Sequence, residues 1–392
     1  MIEKKESTIN TFVVLALVAT TFLPSTMSFH ILRLVLVGFI FLVKRGTVDR
    51  IFGIWIMNIF FAAISVLLIE HSILTSKLIH EFTRVAFYAL VVGVCRETKV
   101  SLKTIYRVCV IVLAVHFVIQ YTQFTGENTF NSFIINHYLA GDAGNIHFLQ
   151  AVSNDYAFRS GSIFINPNVY VCYPSLCAGV FLQYNKVHDS LLSVIMTCVA
   201  FLSVVLTGSR MGLVTIVIII AWYVLKNRRR GITKGKIVII ALVIIVLANW
   251  GIIAPYINEF RAFKLEEAYD GSLGIKMSGI FAYLTISNPL YWITGSLGSP
   301  KCSFAIDMEF GYIFAWFGIV GVCWYYKLLK YIYNNKIWMH SIIATSCILS
   351  ILLTNIAAST ILNMSVFPFI CVLALTEVVD IDIIGMDQYG RS

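Results

Sequence analysis

Arginine is the residue type whose positions in this sequence most clearly suggest chemistry. Arg33 and Arg84 lie inside apolar stretches, Arg159 and Arg210 directly precede such stretches, and Arg261 lies in a long polar segment. Charged side chains at membrane depth are costly and normally face a protein interior or a water-filled cavity. A guanidinium group binds phosphate through two parallel hydrogen bonds. The five arginines therefore predict a site for a phosphorylated ligand, with snorkelling or pairing inside the protein as the alternative.

Carboxylates near these arginines suggest two different roles. Glu81 lies one helical turn before Arg84, so it is a candidate partner for an internal ion pair. Asp307 and Glu309 lie where an apolar stretch begins, and a carboxylate there could take a proton from an acceptor hydroxyl. On a helix these two side chains point about 200° apart, so only one is expected to face a given cavity. We favour Glu309 slightly, with Asp307 as the alternative.

The segment FRSGSIFINPNVYVCYPS, residues 158 to 175, combines helix breakers with polar side chains. Pro167 and Pro174 interrupt helical hydrogen bonding within one apolar stretch. Backbone groups freed at membrane depth must be satisfied by protein or water. Asn166 and Asn168 supply short polar side chains at the break. The pattern is typical of a binding-site wall, and a simple proline kink is the alternative.

The elements that must position these residues are transmembrane helices. Of the 392 residues, 59% are hydrophobic and 12% are charged, against about 45 to 50% and about 25% in soluble domains. Apolar stretches of the length that spans a bilayer predict about 12 helices, one of them at residues 237–254 and one at 306–329. The sequence therefore predicts an all-α, polytopic integral membrane protein with one transmembrane domain, residues 1–392.

Positive charge fixes the predicted orientation. With the N-terminus inside, 20 of the 29 lysine and arginine residues fall in inner loops, seven fall in outer loops, and two lie within spans. This bias follows the positive-inside rule, so the net charge of +9 indicates topology rather than nucleic-acid binding. Two outer segments, residues 125–160 and 255–305, are far longer than connections require. The inner loops are short, and we find no nucleotide-binding motif and no metal-ligand spacing.

Three stretches together resemble the bacterial O-antigen polymerase (Wzy-type) and O-antigen ligase superfamily. They are RSGSIFINPNVY at residues 159–170, LTGSRMGL at 206–213, and NPLYWITGSLGSPKCSFAIDMEFGYIFAWFGIVG at 288–321. Each motif is short, but their order and their placement relative to the predicted spans match the family pattern. The resemblance covers about 165 residues with motifs and the rest of the chain through hydropathy alone.

The resemblance implies a metal-independent membrane glycosyltransferase without a cofactor. Such an enzyme works at the periplasmic face of the bacterial inner membrane on undecaprenyl-diphosphate-linked oligosaccharides, together with a flippase and a chain-length regulator. It implies that Arg159, Arg210 and Arg261 match family arginines and that Asp307 or Glu309 matches the acid that closes the second loop. Arg210, Arg261, Glu309 and Asp307 are then the catalytic candidates. Arg33, Arg84, Arg159, Asn166, Asn168 and Lys276 are the substrate-binding candidates.

The chain departs from the family pattern at two points. Lys276 stands where many members have a second loop arginine, and the second outer segment has no histidine. Because a loop histidine is a feature of the ligases, its absence favours a polymerase over a ligase acting on lipid A core. The other alternative is a lipid-oligosaccharide flippase or transporter, whose outer loops are usually shorter and which often shows an internal repeat.

Overall fold

The computed structural model of the protein describes residues 2–24, 27–71, 75–125, 128–138, 160–164, 166–226, 272–299, 308–333, 342–357 and 362–378. Three predicted site residues, Arg159, Arg261 and Asp307, lie outside these ranges, as does the predicted span at 237–254. The backbone of Lys276 is described and its side chain is not.

The described part of the chain is almost entirely helical. Its helices, in chain order, are α1 (Ile2–Thr21), α2 (Met27–Lys44), α3 (Arg50–Glu70), α4 (Thr75–Arg96), α5 (Leu102–Thr125), α6 (Asn128–Tyr138), α7 (Pro167–Tyr170), α8 (Cys172–His188), α9 (Leu191–Leu206), α10 (Arg210–Lys226), α11 (Ser272–Ile286), α12 (Pro289–Thr294), α13 (Glu309–Tyr333), α14 (Ile342–Ala357) and α15 (Phe367–Leu375).

Two short strands join distant parts of the bundle. Strand β1 (Lys99–Val100) follows α4, and strand β2 (Glu377–Val378) follows α15. They pair in parallel, with Lys99 opposite Glu377, and the side chains of these two residues form an ion pair with an N to O distance of 2.9 Å. Because the strands are parallel and each follows its helix directly, α4 and α15 end at the same end of the bundle.

Helices α8 and α15 form the centre of the bundle. Every residue of α15 is buried, and α8 is buried from Cys172 to Gln183. A helix that is apolar on all sides is stable only when other helices surround it. Aromatic rings join these central helices to each other and to α4, since Tyr173 stacks on Phe369 at 4.9 Å and Tyr88 stacks on Phe367 at 3.7 Å between ring centroids.

By length and composition alone, four helices in the described ranges, α3, α4, α5 and α13, could cross a membrane, and α13 is interrupted at Gly318. The outward faces of α2 and α3 are also apolar, and Phe39, Leu42 and Leu68 each expose two thirds or more of their surface. Exposed apolar faces of this kind mark contact with lipid or with another protein. The predicted helical class with membrane-type helices is confirmed, and the count of about 12 spans stays a prediction.

The segments predicted as long outer loops contain helices. Helix α6 lies within residues 125–160, and helices α11 and α12 lie within residues 255–305. Helix α12 begins at Pro289 behind Asn288, whose side-chain Oδ1 accepts from the backbone N–H of Leu290 at 3.0 Å. Asparagine followed by proline is a common helix start, because the asparagine caps the helix and proline needs no hydrogen-bond partner there.

Helix α13 consists of two halves that fold back on each other at Gly318. The backbone of Gly318 is not helical, with φ 63° and ψ −163°. The ring centroids of Phe310 and Tyr325 lie 5.2 Å apart, whereas a straight helix would separate residues 15 positions apart by about 22 Å. The Tyr325 hydroxyl also hydrogen-bonds Glu309 across the turn. The stretch predicted as one continuous span therefore reverses direction in its middle.

A glycine pair makes this reversal possible. A Cβ atom on Gly318 would overlap the carbonyl group of Ile293, and one on Gly295 would overlap the backbone of Trp316 and Phe317. The close approach lets the backbone N–H of Ser296 donate to Ala315 O at 2.9 Å. The turn after α12 thereby caps the carbonyl end of the first half of α13.

The end of α3 and the start of α4 also hold the turn after α12. Glu70, at the end of α3, accepts hydrogen bonds from the hydroxyls of Tyr291 (2.9 Å) and Ser299. Lys77, in the first turn of α4, donates to the carbonyl oxygen of Gly298. The turn after α12 is thus fixed by Glu70 and Lys77 as well as by the close contacts of Gly295 and Gly318.

Replacing Gly318 by alanine should destabilise the protein by about 2 kcal/mol or more, because its backbone conformation is nearly restricted to glycine and the new Cβ meets a backbone carbonyl. Gly53→Ala, on α3, is the matched control, since a Cβ there meets nothing within 4 Å. It should be neutral or stabilising by up to about 1 kcal/mol. Thermal unfolding of the purified proteins at one scan rate measures both effects. An unchanged midpoint for Gly318→Ala would contradict the fold-back.

Candidate functional site

Arg33 is completely buried, and protein groups accept its hydrogen bonds. Its Nε donates to the carbonyl oxygen of Thr20 at 2.9 Å. Its Nη2 donates to the carbonyl oxygen of Leu23 and, at 2.7 Å, to the hydroxyl of Ser365. Its Nη1 donates to Nδ1 of His30 at 2.8 Å. The guanidinium group therefore joins the end of α1 to the turn that precedes α15.

Arg84 lies in a second buried cluster that touches the first. It pairs with Glu81 at 2.9 Å between Nη1 and Oε1, which confirms the pairing alternative from the sequence. Its Nη2 donates to Nε2 of His80 at 2.9 Å, and it also hydrogen-bonds the Tyr312 hydroxyl. The rings of His80 and His30 lie 5.6 Å apart, edge to face. Each histidine accepts from a guanidinium group, which can only donate, so both imidazoles are neutral.

Glu309 lies deep between the helices. Its side chain is fully buried at the start of α13. Its Oε1 accepts from the backbone N–H of Leu362 at 2.9 Å. Three residues further on, Ser365 receives the hydrogen bond from Arg33. Glu309 and Arg33 thus both bind residues 362–366, which we call the α14–α15 turn. Glu309 binds its first residue, and Arg33 binds Ser365.

A cavity of about 160 Å³ lies against the α14–α15 turn. Its wall combines the end of α1, the segment at 163–169 and this turn, and includes Leu23, Phe164, Asn166, Asn363 and Ser365. The predicted binding residue Asn166 therefore does line a cavity. Arg33 reaches the same cavity indirectly, because it donates to both Leu23 and Ser365 in the wall.

The Asn-Pro-Asn motif has a clear local geometry. The side-chain Oδ1 of Asn166 accepts from the backbone N–H of Asn168 at 2.9 Å, which caps the short helix α7. Pro167 occupies the first helical position, where a missing N–H costs nothing. Helix α8 follows directly after Val171, and Pro174 lies in its first turn. Val171, between the two helices, keeps right-handed helical backbone angles, so the predicted break is a one-residue interruption ahead of Pro174.

A polar face of α5 holds the segment before this motif. Gln123 donates from Nε2 to the carbonyl oxygen of Ser162 at 2.9 Å and accepts from the hydroxyl of Ser160. His116 hydrogen-bonds the hydroxyl of Ser162 at 2.9 Å. Gln120, on the same face, donates to a carbonyl oxygen of α9. We did not single out these residues from the sequence, although polar residues at helical spacing within an apolar stretch are the signal that could reveal them.

The GSR motif lies beside that segment. Arg210 begins α10, is half-buried, and follows a turn in which Gly208 has φ 61°. The backbone N–H of Ser160 donates to Leu206 O, at the end of α9, at 2.8 Å. Ser160, the described residue next to Arg159, is thus hydrogen-bonded to a residue four positions before Arg210 in the chain. The first two motif stretches of the sequence therefore meet in space.

The structure brings together part of the predicted site. Arg33 and Arg84 are linked through His30 and His80, and Arg33 and Glu309 both hold the α14–α15 turn. Asn166 lines the cavity beside that turn. Arg210 and Asn168 lie on the adjoining segments, whereas Arg159, Arg261, Asp307 and the side chain of Lys276 are outside the described part. Among the described residues, no group of three or more His, Cys, Asp or Glu side chains is placed to hold a metal ion.

Comparisons of the sequence with protein-family models and with curated proteins yield no match. The arrangement of the residues themselves is therefore the basis for the functional proposal below.

Replacing Gln123 by leucine should loosen residues 160–164, because two hydrogen bonds of about 1 kcal/mol each are lost. Amide hydrogen exchange in that segment should accelerate by roughly thirtyfold, the equivalent of about 2 kcal/mol. Tyr121→Leu, on an exposed part of the same helix, is the control and should leave exchange there unchanged. Equal exchange in the Gln123 variant and the wild type would mean that α5 does not position this segment.

Proposed function

We propose that the protein is a polysaccharide polymerase that transfers a growing glycan from undecaprenyl diphosphate onto a new lipid-linked repeat unit. The observation that carries this proposal is the hydrogen bond from Ser160 to Leu206, which joins the RSG and GSR motif stretches beside the cavity lined by Asn166. Segments far apart in the chain, selected for their resemblance to one family, are neighbours in the fold. The apolar helices agree with a membrane-bound substrate.

The proposed reaction needs little from the protein beyond positioning and charge. The bond between the anomeric carbon and the diphosphate oxygen breaks as the acceptor hydroxyl oxygen bonds to that carbon. Negative charge develops on the diphosphate, which is a good leaving group, and preorganised guanidinium groups stabilise it. In our proposal Arg210, together with Arg159 and Arg261, binds this diphosphate, and the hydroxyl proton passes to a carboxylate or to solvent.

Arg33, Arg84 and Glu309 have a different part in this proposal. Both arginines are buried and bound to protein acceptors, so we assign them to positioning rather than to phosphate binding. Glu309 accepts a backbone N–H of the α14–α15 turn, so we assign it to holding that turn. The proton acceptor is then Asp307 or solvent.

We place the enzyme in the bacterial inner membrane, with its site facing the periplasm. The resemblance supports the choice of membrane. The positive-inside bias supports the orientation, because it puts the ends of α1 and α9 and the start of α10 on the predicted outer side. A flippase that delivers the lipid-linked unit and a chain-length regulator are the expected partners. No nucleic acid, metal or nucleotide cofactor enters the proposed reaction.

Arg210→Ala should reduce polymer by roughly a hundredfold to a thousandfold, the usual effect of removing one transition-state donor. Arg210→Lys should rescue poorly, because an ammonium group cannot form the bidentate contact. Arg107→Ala, an exposed arginine on α5, is the control and should behave as wild type. The variants are expressed at matched levels in a deletion strain, and glycan chain length is read from gels.

The same strain separates the polymerase from the ligase alternative. Deletion should leave single repeat units attached to lipid A core, since ligation continues without polymerisation. Loss of even that band, with accumulation of lipid-linked polymer, would identify a ligase. Wild-type chain lengths from Arg210→Ala would contradict the role of Arg210.

Glu309→Gln should retain most of the polymer, because glutamine keeps the Oε1 acceptor for the Leu362 N–H. Glu309→Leu should lose polymer and thermal stability together, since that buried N–H is left without its acceptor at a cost of about 1 to 3 kcal/mol. Polymer assays and thermal unfolding of both variants check this. A Glu309→Gln protein that is as stable as wild type but inactive would show that Glu309 is the base after all.

A further inference from the structure

The cavity is lined by two asparagine side chains whose amide orientation is fixed by the backbone. Oδ1 of Asn166 accepts from the N–H of Asn168 at 2.9 Å, and Oδ1 of Asn363 accepts from the N–H of Ser365 at 2.9 Å. A backbone N–H can only donate, so the atom facing it must be the oxygen in both cases. Each amide Nδ2 group is a double donor. The two residues can therefore offer N–H donors to a ligand in the cavity.

A buried positive charge lies directly behind this wall. The Nη2 of Arg33 donates to the carbonyl of Leu23 and the hydroxyl of Ser365, both of which line the cavity. The ion pairs among the described residues join Arg84 to Glu81, Arg96 to Asp49 and Lys99 to Glu377, so Arg33 belongs to none of them. Its described partners are neutral groups. An anion in the cavity would balance this charge.

Shape and contact type separate a carboxylate from a phosphate. Arginine binds phosphate most strongly through direct, bidentate contacts, whereas Arg33 lies behind the wall and donates to wall residues instead. A carboxylate carries one charge and four lone-pair sites, which suit two amide donors. The rings of Tyr138 and Phe164 also line the cavity and supply apolar surface for the C–H face of a sugar ring. A volume of about 160 Å³ suits one sugar ring and its substituent.

We propose that this cavity is a subsite for an acidic sugar, whose carboxylate accepts hydrogen bonds from Asn166 and Asn363. The inference rests on the proposed function for the origin of that sugar, which would be a residue of the lipid-linked repeat unit. The acidic sugar is a uronic acid or another carboxylate-bearing ring. The repeat unit handled by this protein is accordingly anionic.

The test uses the purified full-length protein in lipid nanodiscs, with binding measured from ligand-induced shifts in thermal unfolding. Glucuronate is the probe, glucose is the same ring without the carboxylate, and inorganic phosphate and diphosphate represent the lipid headgroup. Glucuronate should bind at least about tenfold more tightly than glucose, because hydrogen bonds to a charged acceptor are the stronger ones. Phosphate and diphosphate should not compete with it at the cavity.

Asparagine-to-aspartate substitutions test the contact atoms. Asn166→Asp and Asn363→Asp keep the Oδ1 that caps the backbone but replace the donor amide with an anionic oxygen. Each should weaken glucuronate binding by roughly tenfold to a hundredfold or more. Asn288→Asp is the matched control, because Asn288 caps Leu290 N–H in the same Asn-Pro context and is exposed away from the cavity. It should bind glucuronate as wild type does.

Several results would overturn the inference. Equal affinity for glucose and glucuronate would make the cavity a neutral-sugar site, and binding of phosphate or diphosphate in place of glucuronate would make it a headgroup site. Unchanged glucuronate affinity in both aspartate variants would place the sugar elsewhere. Should either aspartate variant fail to fold, the ligand comparison on wild-type protein still decides the question.

Failure of this inference can be told apart from failure of the proposed function. A protein that polymerises glycan in the deletion strain but does not bind glucuronate overturns the subsite alone. If the purified protein binds glucuronate but deletion of its gene leaves polymer length unchanged, the polymerase proposal alone is overturned.

Discussion

The buried guanidinium group of Arg33 is the constraint on which the described site depends. Inside an apolar bundle its donors cannot be left to water, so each must find a protein acceptor. Those acceptors are the end of α1, a histidine of α2 and the α14–α15 turn. Satisfying one side chain therefore fixes three elements that are far apart in sequence. Two of them, the end of α1 and the α14–α15 turn, form part of the cavity wall.

The fold-back at Gly318 positions Glu309, the second residue that holds the α14–α15 turn. Because α13 reverses direction, Glu309 is carried into the interior, where it accepts the N–H of Leu362. Tyr312, on the same half of α13, reaches Arg84. Gly295 and Gly318, which permit the reversal, are thus linked through Glu309 to the α14–α15 turn. A substitution at Gly318 is expected to act on the site as well as on stability.

Composition and hydropathy were sufficient to predict the helical class and the membrane-type helices, because those features depend on the average character of long stretches. They could not predict the reversal in α13, since the apolar stretch continues across Gly318 without interruption. The partner of Glu309 could not be predicted either, because the Leu362 N–H that it accepts lies 53 positions away in the chain. Pairing of Arg84 with Glu81 was predictable, as it follows from helical spacing alone.

The roles of individual polar residues could likewise be predicted only where they depend on local features of the sequence. Asn166 could be assigned to a cavity wall because it directly precedes the helix-breaking Pro167, which is a local feature of the sequence. Ser365 could not, because its importance depends on its contact with Arg33, 332 positions away in the chain. The polar face of α5 was visible in the sequence as His116, Gln120 and Gln123. Its function became clear only when its partners at 160–162 were known.

The most direct test of the central claim is reconstitution of the reaction. Purified protein in vesicles is given a lipid-diphosphate-linked repeat unit, with no sugar nucleotide and no added metal, and the products are separated by size. Our account predicts a ladder of lipid-linked glycans longer than one unit, with release of undecaprenyl diphosphate. Movement of the intact lipid-linked unit between leaflets, without any new glycosidic bond, would contradict it and would identify a transporter.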